Sequence, residues 1–174
     1  MSDLDLLNQN LAGEHFAIAA YDAGLSSGLL DEPTAKVARA FQSDHTTHRD
    51  LLTEQVVARD GIAVSPLGAD DYAKSYPPLT NAAEIVAYAT ELEAAAARAS
   101  IASVASFEDR KLALLAAQIG GVEAQHWATL LAAVGANPVP SPIIELDGVA
   151  HTDYATASTM SATPRDGDPG EPKG

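Results

Sequence analysis

Four stretches of this chain repeat apolar side chains every three or four positions, and in each the repeat is interrupted by an acid or an imidazole. That spacing collects side chains on one face of an α-helix, so each stretch reads as a helix with a single buried stripe. In the first, Leu4, Leu7, Leu11, Glu14, Ile18, Tyr21 and Leu25 share the stripe. The second offers Ala38, Phe41, His45, His48 and Leu52, with Asp44 one turn before His48. The third shows Ile85, Tyr88, Leu92 and Ala96, with Glu93 at the edge of that face and Glu91 on the outer side. The fourth runs Leu112, Ala116, Ile119, Glu123, His126, Leu130 and Ala133. Helices with one apolar stripe hide it only against each other, which predicts an all-α, antiparallel four-helix bundle.

Punctuation sets the boundaries. The first helix covers about residues 3 to 26, and Asp31, Glu32 and Pro33 open the second, with Gly61 as its stop. Between Gly61 and Thr80, "SPLGADDYAKSYPPLT" carries three prolines and reads as a long crossover joining helices 2 and 3. Asn81 with Glu84 forms a capping box for the third helix, Ser106 with Asp109 another for the fourth, and Gly135 ends it. The order is hairpin, crossover, hairpin. From residue 136 to 174 the chain turns to prolines, glycines and small polar residues, so the expected organisation is a bundle over 1–135 and an extended, irregular, partly disordered tail over 136–174, in which "PIIEL" can lie against the bundle.

The remaining composition removes whole classes of function. A formal charge of −14 opposes binding to phosphate backbones, which excludes nucleic acid as a partner. Cysteine is absent, so there are no disulfides, thiolate metal sites or cysteine nucleophiles. No apolar run is long enough to span a bilayer, and "MSDLDLLNQN" lacks the positive start of a secretory signal, which leaves the cytoplasm as the expected location with no membrane partner.

What remains is the polar set on the inner stripes. A buried carboxylate without a partner is strongly unfavourable, and several at one level repel each other as well. The inner stripes around Glu14, His48 and Glu123 contain no Lys or Arg to compensate them. A divalent metal does so economically, because carboxylate oxygen and neutral imidazole nitrogen suit iron, manganese or zinc. Glu123 and His126, three positions apart, project from one turn, and di-iron bundles take such a Glu-x-x-His pair from each of two helices and one Glu from each of the others. Glu14, Glu93 and the pair Glu123/His126 meet three of those four requirements, and His48 meets part of the fourth.

At "EHFAIAAY" (Glu14 to Tyr21) and "EAQHWATLL" (Glu123 to Leu131) the chain resembles the ferritin-like superfamily, in particular small bacterial ferritin-like domain proteins. The likeness in helix order covers about residues 3 to 135. It implies a dinuclear iron centre, with manganese or zinc as other occupants, able to oxidise Fe(II) with O2 or peroxide. Glu14, His48, Glu93, Glu123 and His126 match the expected ligands. His45 departs from the pattern, standing where a second bridging glutamate is usual. Three carboxylates then face the charge of two divalent ions, so hydroxide, water or Asp44 must offset the remainder, or the centre is mononuclear or tuned to another metal. The lack of a further C-terminal helix argues against a closed cage and for a smaller assembly such as a homodimer. Met1 and Met160, the only methionines, lie outside the bundle helices, which argues against haem.

A competing reading is a non-catalytic helical scaffold or stress protein with a degenerate or static metal site, and His45 is the residue that favours it. His15 and His151 read as surface residues, and Tyr21 as core packing or as a hydrogen-bond donor to a ligand. Gly120 and Gly121 cost a helix about 1 kcal/mol each relative to Ala, which close helix approach or a bulge beside Glu123 would explain.

Overall fold

The computed structural model describes residues 1–146, in which all regular structure is helical: α1 (Asp3–Ser26), α2 (Glu32–Val57), a short α3 (Ala69–Ala73), α4 (Ala82–Val104) and α5 (Arg110–Ala133). His151 and the stretch from 147 onward lie outside the described residues. The four long helices form the expected bundle. α1 pairs with α2 and α4 with α5 as two tight hairpins, and the hairpins meet chiefly where α1 crosses α4.

Each long helix starts where a side chain can take up free backbone N–H groups. Ser2 caps α1, and Ser2 and Asp5 exchange hydrogen bonds, with the Asp5 N–H donating to Ser2 Oγ at 3.2 Å and the Ser2 N–H to Asp5 Oδ2 at 2.9 Å. Asp31 caps α2 through Thr34 N–H at 2.9 Å, with proline in the first turn as expected. Asn81 caps α4, but the returning Glu84 carboxylate accepts from Thr80 N–H at 2.7 Å, one residue earlier than a capping box requires. At α5 the expectation shifts: Asp109, not Ser106, is the cap, because its carboxylate accepts from Lys111 N–H at 2.8 Å and from Arg59 at 2.6 Å. Residues 105–109 are a turn between α4 and α5.

The crossover is held rather than loose. Asn8 on α1 donates to Ile62 O and accepts from Val64 N–H, and His15 Nε2 lies 3.1 Å from Val64 O. α3, the one element absent from the sequence reading, brings Tyr72 into the core, where Tyr72 and Tyr76 set their rings edge-on to Phe16. A single helical turn is too short to show a period, and prolines on both sides concealed it. Gly61 lies beneath Leu4, where a Cβ would approach Leu4 Cδ2 to 2.6 Å. The "PIIEL" segment is mostly exposed, with Ile143 at 68%, rather than packed on the bundle.

The interior changes along its length. One end, built from the start of α1, the end of α2 and the start of α5, is filled by Leu6, Leu7, Leu11, Leu52, Val56, Phe107, Leu112 and Ile119. The middle level carries the acids and histidines. The other end, between the close of α1 and the opening of α2 and α4, carries a half-open apolar recess of about 480 Å³, whose wall mixes alanines such as Ala20, Ala38 and Ala89 with larger residues such as Tyr21, Phe41 and Leu92.

Candidate metal centre

Glu14 from α1, His45 and His48 from α2, Glu93 from α4, and Glu123 and His126 from α5 meet at mid-height, and all six are buried. His45, Glu93 and Glu123 are 0% exposed. Glu93, expected only at the edge of its stripe, is as deeply placed as the others. Helix geometry explains the convergence: His45 and His48, like Glu123 and His126, are three apart and leave one side of their helix, and the antiparallel hairpins bring those levels into register.

Two sets of ligand-type atoms form, one from Glu14, His45, His48 and Glu123, the other from His45, Glu93, Glu123 and His126, each spanning no more than 4.8 Å. Either set could hold a metal ion. Glu123 faces both: its Oε1 lies 2.9 Å from His48 Nδ1 and its Oε2 lies 3.2 Å from His126 Nδ1. His45 also faces both, with Nδ1 2.8 Å from Glu14 Oε2 and Nε2 3.1 Å from Glu93 Oε1.

Hydrogen bonds join much of this cluster but do not use every ligand-type atom in it. Both Glu123 oxygens and His48 Nδ1 are fully buried and make no properly directed hydrogen bond, although His48 Nδ1 is within 2.9 Å of Glu123. Close but misdirected atoms are expected where lone pairs aim at a point between them, and orphaned buried polar atoms are otherwise costly.

Without a metal the charge is balanced by protons. Burial pushes the Glu14 carboxyl up from its usual range, partly offset by His45. Burial would lower the His45 pKa, but its bonds to Glu14 and Glu93 outweigh this and hold it well above the ordinary histidine value. His126 is likewise pulled down by burial and raised further by Glu123 and Glu93, to about 9. Burial acts to raise the Glu123 pKa, yet its contacts with His126 and His48 and the charge of His45 hold it well below the carboxylate range.

A surrounding layer fixes these side chains. The Tyr21 hydroxyl donates to Glu93 Oε1, and burial followed by the Glu93 charge pushes that phenol far up, so it remains a donor. Phe41 stacks on the His126 ring with centroids 3.8 Å apart. Asp44, half exposed, lies on the outer side of His126 with Oδ2 3.1 Å from Nε2 and belongs to neither set, whereas His45 belongs to both. Both Tyr21 and Phe41 stood on the apolar stripes, where nothing distinguished a ring that packs from a ring that also orients a neighbour. His15 is partly exposed and bound to the crossover, away from the centre.

Gly120 resolves one of the two glycines. A Cβ there would come within 3.0 Å of Ile101 and 3.2 Å of Ser100, so glycine allows α5 to press against α4 one turn before Glu123. Gly121 faces open space, and nothing in the structure explains it.

A sequence profile described as a ferritin-like domain matches residues 2–136. No curated protein matches the chain. Seven chains among solved structures do. One is a conserved hypothetical protein, rv2844, from Mycobacterium tuberculosis, 22% identical, with a TM-score of 0.66 over 80% of this chain and 94% of that one. At that identity the likeness speaks for the fold alone. With the profile spanning the whole bundle, the chain belongs to the ferritin-like domain family.

Proposed function

We propose that the protein binds a pair of divalent ions at this centre, iron foremost and manganese or zinc as other occupants, and uses them to oxidise Fe(II) with O2 or peroxide. The observation that carries the reading is that both Glu123 oxygens and His48 Nδ1 are buried without a well-directed hydrogen bond, beside the carboxylates of Glu14 and Glu93. Glu14 and His48 would complete one position, Glu93 and His126 the other, with Glu123 shared between them. Paired iron ions would supply one-electron redox chemistry toward O2 or peroxide.

The chain's own residues prepare the positions. Asp44, accepting from a His126 Nε2–H, would leave the Nδ1 lone pair facing Glu93 and Glu123. The Tyr21 hydroxyl fixes one Glu93 oxygen. A neutral His45 has one lone pair and one N–H, so it serves one position and donates to a carboxylate at the other. The two positions are therefore unequal, unlike those of a centre with two bridging glutamates. Apolar side chains lie on both sides of the centre. The setting we propose is cytoplasmic and homodimeric, with metal ions and O2 or peroxide as partners; no helix among the described residues is long and apolar enough to cross a membrane.

A second reading rests on His45 alone. Held between Glu14 and Glu93 with a raised pKa, it gives the cluster a counter-charge that needs no metal, as a helical scaffold with a degenerate or static site would use. Oxygen uptake separates the two. Metal-free protein given Fe(II) anaerobically and then exposed to air should consume O2 faster than the buffer, and Glu123→Ala should return the rate to that of buffer. Bound metal with no protein-dependent uptake would support the static site instead.

A further inference from the structure

The recess at the end of the bundle opposite the leucines carries an inference separate from the metal centre. Its volume, about 480 Å³, falls within the roughly 300–1,000 Å³ typical of small-molecule sites. Small side chains make it: Ala20 on α1, Ala38 on α2 and Ala89 on α4 stand at inward positions where the opposite end of the bundle places leucines. Its wall includes Tyr21, Phe41 and Leu92, so its floor is the layer that orients Glu93 and stacks on His126. No residue lining it is charged. An anionic headgroup inside would therefore find no cation, and a cation no carboxylate, which selects a neutral occupant. A half-open apolar recess of this size leaves apolar surface against water unless something covers it. A second copy of the chain would have to insert a protruding apolar element to fill it. The residues beyond 146, rich in Pro, Gly, Asp and Thr, offer few apolar side chains for it.

We propose that this cavity binds a neutral, apolar organic molecule, of the aliphatic alcohol, ester or hydrocarbon class, lying against the Tyr21 and Phe41 rings. The proposal does not depend on the metal, and its test is run on the full chain after chelator treatment, so its failure and that of the metal reading are distinguishable. The probe is decan-1-ol, followed by calorimetry and saturation-transfer NMR, with circular dichroism to verify folding. One saturable site per chain is expected, weakened roughly tenfold or more by Ala89→Phe, and also by Ala38→Phe from the facing helix should the first variant misfold. Leu114→Ala, an exposed site at the other end, should leave binding unchanged. Unsaturable binding, or wild-type affinity retained in both filling variants while they remain folded, would overturn the proposal. So would binding seen only after removal of residues 147–174, which would make the chain's own end the occupant. Binding that appears only as a dimer dissociates would overturn it equally, in favour of a second copy.

Discussion

The two ends of this bundle are built from the same helices yet filled differently. At one end Leu7, Leu11, Leu52, Val56 and Leu112 are at most 2% exposed and interlock across α1, α2 and α5. At the other, alanines leave a cavity beside the layer that holds the centre. Packing, charge and open space therefore occupy separate levels: the leucine end contributes packing, the middle concentrates charge, and the other end leaves room beside the charge. A bundle optimised only for burial would have filled both ends.

The sharpest way to break this contrast is a cavity at the filled end. Leu7→Ala should cost about 2–5 kcal/mol in denaturant unfolding, while folded molecules keep their metal stoichiometry. A loss of metal in the folded fraction would show that the levels are not independent. Tyr21→Phe acts on the middle level alone, removing the donor to Glu93. Metal affinity should fall about 10–100-fold, measured by competition with a chelator, with a much smaller effect on unfolding than Leu7→Ala.

The pH response belongs to the middle level too. The folded pKa of His126, about 9, lies above its unfolded value. In metal-free protein its contribution is complete below about pH 6.5 and is lost as pH rises through about 9. Metal competes with that proton, so apparent metal affinity should rise across the same window, by no more than about tenfold per pH unit for one proton. Melting of the metal-free protein and metal titrations at several pH values should thus move in opposite directions. The smallest effect is expected from Ala38→Val, which enters open space and should change stability by less than about 1 kcal/mol.

The sequence carried the bundle because its helices announce themselves twice, by stripe and by cap. Glu14, His45, His48, Glu123 and His126 were legible for the same reason: each breaks an apolar stripe at one level. Glu93 was harder, since the stripe of α4 is rich in alanine and its margin does not show in sequence which side meets the neighbouring helices. The inward direction of His45 depends on carboxylates from α1 and α4, contacts between elements far apart in sequence. The cavity was illegible for a related reason. An alanine on a stripe reads as tight packing or as empty space with equal ease, and only the placement of the surrounding helices decides between them.

The most direct test of the central claim is elemental analysis of purified protein, wild type beside Glu123→Ala, with circular dichroism to show that both are folded. The account predicts stoichiometric iron, manganese or zinc in the wild type and its disappearance in the variant. Equal trace metal in both would contradict it.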